Sequence, residues 1–200
     1  MSCSIQLSVR WLATGLGLLL VAAGPGCGKE SRSSAEGGAA VATLRVVRPA
    51  VQLTRGAETS LAGWQTRVSA GTRVAATSGR AWIRHDDGVR ALLAAGASVE
   101  VRETELRLTR GKVWVEAPTG PPSTLLVGGA VISAKRAGFE LRLPSAGRPP
   151  EVYVARGRLE VGRGNRLVEV QAGERCTIGT KGLWVRPEQL WDDWTGGLAW

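Results

Sequence analysis

Hydrophobic and polar residues alternate along most of the chain from about Leu44 onward. Short runs rich in Val, Leu, Ile and Trp carry Arg, Glu, Thr or Ser at alternate positions, which is typical of strands buried on one face. The runs are LRVV, ETSLAGWQ, TRVAAT, RAWIRH, VRALL, SVEV, ELRL, KVWVEA, AVISA, GFELRL, EVYVA, RLEV, RLVEV and RCTI. Because no segment shows the helical period of about 3.6 residues, the pattern predicts an all-β fold.

Glycine separates these runs at short intervals. Two series stand 7 to 9 residues apart: Gly71, Gly79, Gly88 and Gly96, then Gly157, Gly164 and Gly173. Since glycine readily adopts the positive φ that tight turns require, each of these positions is predicted to be a reversal or a corner.

A loose internal repeat indicates how the strands associate. The segments LTRGKVWVEA (108–117) and VARGRLEVGR (154–163) each place Arg-Gly between two strands, and LTRGAETSLA (53–62) is a weaker third copy. A recurring hairpin favours stacked units whose open edges are covered by the next unit. The predicted architecture is therefore one of stacked short strands and hairpins, either a β-solenoid or β-roll or a twisted sandwich.

The only histidine, His85, stands directly before Asp86 and Asp87, which raises the question of a catalytic or metal-binding cluster. Asp87-Gly88 between two strand runs is a strong hairpin-turn signal. A catalytic site would need a nucleophile or an oriented third partner, and a calcium loop would need several alternate acidic ligands. We interpret the cluster as a surface turn, predict no catalytic, metal or cofactor site, and expect replacement of His85 to be nearly neutral.

The first 26 residues are predicted to be an export signal. A positive start precedes the apolar stretch from Trp11 to Ala23, whose 13 residues fall short of a membrane-spanning helix, which needs about 20. The motif LLLVAAGPGC resembles a bacterial lipoprotein signal, in which Cys27 becomes the acylated first residue of the mature chain. The alternative is ordinary cleavage near Ala23, which would leave a soluble protein. Residues 27–44, with Gly, Ser, Ala and charged residues, are predicted to be a flexible tether.

The formal net charge of +9 comes mainly from arginine. The arginines are scattered without long cationic runs, and the aromatic residues do not interleave with them, so nucleic-acid binding is not expected. The cysteines give no disulfide framework and no paired metal spacing, because Cys3 lies in the signal and Cys27 is assigned to the lipid. Cys176, at an inward-facing strand position, is predicted to be a small buried hydrophobe.

Five motifs, in their order along the chain, resemble the FecR domain. They are GTRVAATSGRAWIRHDDG, ELRLTRGKVWVEA, VISAKRAGFELRL, EVYVARGRLEVG and VEVQAGERCTI. The family has a glycine and a threonine near the first strand, an Asp-Gly turn, two glycine-containing hairpins, a strand with phenylalanine and a final Ala-Gly-Glu. The resemblance covers residues 45–180, and it departs from the family where Ala137-Gly138 stands in place of Gly-Thr before Phe139.

The resemblance implies an extracytoplasmic all-β domain that senses or binds a partner. In the family's iron-uptake regulators this domain follows a cytoplasmic anti-sigma segment and a membrane helix. With an export signal at residue 1, we expect neither part here. The predicted function is a non-catalytic binding or sensory module, exported to the periplasm, anchored to a membrane through Cys27 and engaging an envelope protein or a cell-wall glycan. A structural β-roll in envelope or surface assembly and an envelope enzyme are the alternatives, and no cofactor is expected.

The end of the chain is rich in tryptophan. Half of the eight tryptophans lie after residue 180, namely Trp184, Trp191, Trp194 and Trp200. Tryptophans at an exposed chain end often mark an interface, so residues 181–200 are a candidate partner-binding segment. Two alternatives are that these residues cap the open end of the β domain, or that they lead into a further domain.

Overall fold

A computed structural model describes residues 38–145, 147–189 and 193–198. Within these ranges the chain forms β-strands and no helix, which confirms the predicted all-β class. The fifteen strands are β1 (Ala40–Arg48), β2 (Val51–Arg55), β3 (Glu58–Leu61), β4 (Gln65–Ser69), β5 (Arg73–Ala76), β6 (Arg80–His85), β7 (Arg90–Leu93), β8 (Ala97–Val101), β9 (Glu105–Glu116), β10 (Ser123–Val127), β11 (Ala130–Leu143), β12 (Glu151–Arg163), β13 (Arg166–Gln171), β14 (Glu174–Ile178) and β15 (Leu183–Pro187).

Hydrogen bonding arranges the strands in two layers that are parts of one sheet. The first layer runs in the order β4-β1-β6-β7-β9-β11-β12-β14-β15. The second layer runs in the order β3-β2-β5-β8-β9-β10-β11-β12-β13. Strands β9, β11 and β12 are long and contribute one part to each layer. Every described strand pair is antiparallel except β9 with β10.

Alternate side chains of both layers point into a single hydrophobic core. Leu44 and Ile83 of the first layer and Val99 and Ile132 of the second are buried and belong to one cluster. Two sheet layers around one core form a sandwich. Of the two predicted architectures, the arrangement therefore matches the twisted sandwich more closely than a regular solenoid.

The two Arg-Gly repeats are bends within continuous strands and not the hairpins that the sequence predicts. Residues 105–108 of β9 pair with β10 in the second layer, whereas residues 111–116 pair with β11 in the first. Residues 158–163 of β12 pair with β13, whereas residues 151–154 pair with β14. Each strand therefore crosses from one layer to the other near its glycine instead of reversing.

Close approach of the backbone explains the glycine at both bends. At Gly111, where φ is +79°, a Cβ atom would lie 2.7 Å from the Cα of Ala97. At Gly157, where φ is +77°, a Cβ atom would lie 2.5 Å from the main-chain oxygen of Arg136. Any other residue would be strained in its own backbone and would push a neighbouring strand away. The weaker third copy, by contrast, is a true hairpin between β2 and β3.

The β domain extends beyond residues 45–180 at both ends. Strand β1 begins at Ala40, within the predicted tether, because Ala42 and Leu44 point into the core and are fully buried. At the other end β15 extends the first layer as far as Pro187. The predicted signal peptide and Cys27 lie outside the described residues.

Candidate functional site

The chain reverses direction at Asp86–Gly88, as the sequence predicts. The main-chain nitrogen of His85 donates to the Val89 oxygen at 2.9 Å, and that of Gly88 donates to the His85 oxygen at 3.0 Å. The φ of Gly88 is +97°, which accounts for glycine at this position. Strands β6 and β7 pair on either side of the reversal and form the expected hairpin.

The side chain of His85 is buried, so the expectation of a surface position is wrong. Only 3% of the residue is exposed. Its Nε2 atom donates to the main-chain oxygen of Arg102 at 3.0 Å, and its Nδ1 atom lies 2.9 Å from an Asp87 carboxylate oxygen. The imidazole therefore ties the Asp86–Gly88 turn to the bend that follows β8.

His85→Asn is expected to destabilise the fold by about 1 to 3 kcal/mol, because the shorter side chain no longer reaches the Arg102 oxygen. His85→Gln is the matched control, since its amide nitrogen can take the position of the imidazole Nε2 and should preserve most of the stability. Unfolding in urea measures the free energy of both variants. If His85→Asn were as stable as the wild type, the imidazole would not join the Asp86–Gly88 turn to the bend that follows β8.

Cys176 is buried in the core, as predicted for a small hydrophobe. The residue is fully inaccessible on β14, opposite Val152 and Val185 of the neighbouring strands. Burial disfavours the charged thiolate and raises the pKa of the thiol from 9.0 to about 11, while a backbone hydrogen bond from Trp184 opposes part of this effect. The thiol therefore serves packing and is poorly suited to nucleophilic chemistry.

Cys176 should resist alkylation while the protein is folded. With the pKa at about 11 instead of 9.0, the thiolate fraction near neutral pH falls roughly hundredfold, and burial further excludes the reagent. Iodoacetamide labelling of a Cys3→Ser/Cys27→Ser variant, followed by mass spectrometry, measures the rate with and without denaturant. Equal rates in the two conditions would place the thiol in contact with solvent.

The outer face of the first layer carries a row of aromatic and charged side chains, each directly opposite the next across the strands. Trp82, Trp114 and Tyr153 occupy outward positions of β6, β9 and β12. The complete row (the outer row) is Gln65, Arg45, Trp82, Leu92, Trp114, Glu140, Tyr153, Arg175 and Arg186. Leu92, Trp114 and Tyr153 form a hydrophobic cluster separate from the main core. Since the solvent face of a sheet is usually polar, the outer row is the candidate functional site.

Residues 193–198 lie on the outer row and cover its centre. The indole nitrogen of Trp194 donates to the Oε2 atom of Glu140 at 2.5 Å. The centre of the Trp194 ring is 5.7 Å from the Arg80 guanidinium and 5.1 Å from the Lys112 ammonium group. Arg80 also donates a hydrogen bond to the main-chain oxygen of Trp194. One indole is thus held by a carboxylate and two cations at once.

Hydrogen bonds within this segment fix its shape. The Asp193 carboxylate accepts hydrogen bonds from the main-chain nitrogens of Thr195 at 3.1 Å and Gly197 at 2.7 Å, and from the Thr195 hydroxyl. The Leu198 nitrogen donates to the Thr195 hydroxyl at 3.1 Å. The resulting loop brings both Trp194 and Leu198 against the aromatic cluster.

Two polar groups are buried on the face that the segment covers. Glu140 is 2% exposed, and its other carboxylate oxygen accepts a hydrogen bond from Arg142 at 2.9 Å. Trp114 is fully buried, and its indole nitrogen has no hydrogen-bond partner in the part of the chain that the structure describes. A buried donor without a partner costs about 1 to 3 kcal/mol. A sheet face with such a buried donor is less stable than a fully apolar one. This loss of stability is typical of a surface that serves recognition.

Among the described residues, none covers the end of the outer row at β1 and β6. A cleft of about 600 Å³ lies there, lined by Thr43, Arg45, Gln65, Trp82, Ile83, Arg84, Gly88 and Arg90. The Arg90 guanidinium is 4.9 Å from the centre of the Trp82 ring and 3.3 Å from a carboxylate oxygen of Glu116. The described residues that line the cleft include three arginines and no carboxylate, so this end of the row is positively charged.

The tryptophans predicted to form an interface lie in different places. Trp184 is on the edge strand β15, opposite Thr177, and is 52% exposed. Trp194 packs on the β domain, as in the alternative that these residues cap it. It covers an outer face of the sheet, however, and not an open end. Trp191 and Trp200 lie outside the described residues.

The outer row was not predicted from the sequence, although a signal for it is present. Trp82, Trp114 and Tyr153 each stand between inward-facing hydrophobic residues in RAWIRH, KVWVEA and EVYVA. An aromatic residue at the outward position of three separate strands indicates a second apolar face. Such a face needs a cover, and residues 193–198 provide part of it.

Among the described residues, no group of three or more His, Cys, Asp or Glu side chains is arranged to hold a metal ion. No helix in the same part of the chain is long and apolar enough to cross a membrane.

No known protein family matches the chain, and no curated protein matches its sequence. Two crystal structures, each of a "putative anti-sigma factor" from Parabacteroides distasonis, resemble it in fold. The first has 16% identity and a TM-score of 0.51, over 58% of this chain and 60% of that chain. The second has 15% identity and a TM-score of 0.50, over 57% and 58%. The chain thus spans less than two thirds of the length of either protein, and at these identities what it shares with them is the fold.

Proposed function

We propose that the protein is a non-catalytic binding or sensory module of the bacterial cell envelope, similar to the FecR domain. The observation that carries the proposal is the outer row, an aromatic and charged sheet face that residues 193–198 cover in part and leave open in part. Aromatic anchors within a charged rim are typical of surfaces that bind partners. The partner is an envelope protein or a cell-wall glycan.

Two further observations support this function. The motifs in residues 45–180 resemble the FecR domain, and the fold resembles two structures of a "putative anti-sigma factor". Because the alignment covers 60% or less of those chains, the proposal extends to the β domain and its partner-binding role, and not to contact with a sigma factor.

The proposed location is the periplasm, where lipid on Cys27 holds the chain at a membrane. The support lies in the sequence, in the short apolar stretch of residues 11–23 and the motif LLLVAAGPGC. A single acyl chain gives only marginal attachment, so a stable anchor requires more than one. Lipoprotein processing at Cys27 is expected to supply them.

Cys27→Ser should release the protein from membranes or block its processing, because the acylated residue is removed. Cys176→Ser is the matched control and should leave the location unchanged, since that thiol is buried in the core. Membrane fractionation and metabolic labelling with a fatty-acid analogue measure both. An unlabelled mature chain that begins near Gly24 would show instead a soluble periplasmic protein.

Affinity capture from envelope extracts tests the binding function. Arg45→Glu/Arg84→Glu reverses two charges on the outer face of the first layer, whereas Arg107→Glu/Arg158→Glu reverses two exposed charges on the second layer. We expect the wild type and the second-layer variant to retain the same component, and the first-layer variant to lose it. Unchanged capture by the first-layer variant would contradict binding at the outer row.

A further inference from the structure

The open cleft at one end of the outer row has the same kinds of side chain, aromatic and cationic, that hold Trp194 at the centre of the row. Trp194 rests on an aromatic cluster with two cations beside its ring. In the cleft, Trp82 is half-buried and the exposed guanidinium groups of Arg45, Arg84 and Arg90 line the same space. The two positions belong to one continuous row, and Trp82 packs against the cluster that Trp194 covers.

Neighbouring carboxylates only partly neutralise the cleft. Glu116 is shared between two arginines, at 3.3 Å from Arg90 and 3.5 Å from Arg156. The Asp86 carboxylate accepts two hydrogen bonds from Arg67, at 2.9 and 3.0 Å, which hold the pKa of that carboxyl below its usual value. Each of these carboxylates is therefore already engaged by an arginine outside the cleft, and the cleft retains an excess of positive charge.

We propose, on the basis of the function proposed above, that this cleft binds an acidic segment of a partner protein that places an aromatic side chain on Trp82. Carboxylates form paired hydrogen bonds with guanidinium groups, and aromatic rings stack on indoles. The sequence around Trp194, with two aspartates directly before it, has this composition. An indole from this segment already binds the same row, because Trp194 donates a hydrogen bond to Glu140.

The spacing of the cleft residues fits an extended peptide. Arg84 follows Trp82 by two positions on β6, so the two side chains leave the same face of the strand about 6 to 7 Å apart. An extended ligand segment presents its own alternate side chains at the same interval. An aromatic residue on Trp82 therefore places a carboxylate two positions further along beside Arg84. Arg45 is directly opposite Trp82 on β1, and its guanidinium lies 5.7 Å from the centre of the Trp64 ring.

A synthetic peptide with the sequence of residues 188–198 is the probe, and full-length protein is the receptor. Fluorescence anisotropy measures the dissociation constant. Arg45→Glu/Arg84→Glu should weaken binding roughly tenfold or more, as should replacement of both aspartates of the peptide by asparagine, and added salt should weaken binding further. The matched variant Arg107→Glu/Arg158→Glu should bind like the wild type. Glu140→Gln changes the carboxylate that contacts both Trp194 and Arg142, so it reports whether the peptide competes with residues 193–198.

Several results would overturn the proposal. Equal affinity of the wild type and the Arg45→Glu/Arg84→Glu variant would do so, as would a loss confined to Glu140→Gln, which would mean that the peptide exchanges with residues 193–198. A dimer that depends on Arg45 and Arg84 in sedimentation experiments would make a second copy the occupant. An anionic polysaccharide that competes as well as the peptide at equal charge would assign the cleft to a glycan. If the peptide does not bind while envelope capture still depends on both arginines, the acidic segment is wrong and the binding function stands.

Discussion

Gly157→Ala is expected to destabilise the fold by about 3 kcal/mol, and Gly164→Ala by about 1 kcal/mol. Both glycines have positive φ, +77° and +59°, so alanine is strained at either position. At Gly164 a Cβ atom would have nothing within 4 Å, but at Gly157 it would lie 2.5 Å from the main-chain oxygen of Arg136. A backbone atom cannot rotate aside as a flexible side chain can, so β11 and β12 must separate locally in the Gly157 variant.

Urea unfolding followed by far-ultraviolet circular dichroism measures both losses. Because the two variants carry the same added methyl group and a similar backbone strain, the difference between them isolates the close approach at the bend of β12. Equal losses would mean that β12 does not pass against Arg136, and the hairpin predicted from the sequence would become the better description of residues 154–163.

Trp114→Ala is expected to lower the free energy of unfolding by about 3 to 5 kcal/mol. Trp114 points outward from the first layer, yet it is fully buried in the cluster that Trp194 and Leu198 cover. Trp114→Phe should cost only about 1 kcal/mol, because a ring is retained and the lost N–H group has no partner among the described residues. Trp64→Ala is the control at a 65% exposed tryptophan and should stay within about 0.5 kcal/mol of the wild type.

The same unfolding experiment compares these three variants. Acrylamide quenching of tryptophan fluorescence adds an independent reading, because Trp194→Ala should make Trp114 more accessible. A loss below about 1 kcal/mol for Trp114→Ala would mean that the outer face is open to water. Residues 193–198 would then not cover the outer row.

Alternation predicts most strands correctly because burial on one face repeats every two residues. The alternation also indicates that His85 is buried, because His85 follows the inward-facing Ala81 and Ile83 at the same two-residue interval on β6. The prediction of a surface position for His85 rested instead on the neighbouring turn signal, Asp87-Gly88. The sequence could not indicate the partner of His85, because the Arg102 oxygen reaches it through the pairing of other strands.

The two Arg-Gly bends show where local patterns are ambiguous. A glycine between two strand runs gives the same sequence pattern in two cases: when the chain reverses there, and when it continues close to another strand. At Gly56 the chain reverses between β2 and β3, and at Gly111 it continues past Ala97. Only non-local pairing distinguishes the two cases, so the short-range pattern could not separate them.

The outer row depends even more on non-local pairing. Trp82, Trp114 and Tyr153 are more than 30 residues apart in sequence, and β7 and β11 bring them onto one row. No local spacing marks such a set. The tryptophan-rich end was identified from composition, but the place of Trp194 on Glu140 requires the sheet to be assembled first.

Site-specific photo-crosslinking in the cell tests the role of the outer row most directly. A benzoylphenylalanine at Arg84 places the reactive group in the open cleft, and the same residue at Arg107 places it on the exposed face of the second layer. We predict a discrete covalent adduct with an envelope partner from Arg84 and none from Arg107. An adduct from Arg107 alone, or equal adducts from both positions, would contradict a partner-binding surface on the first layer.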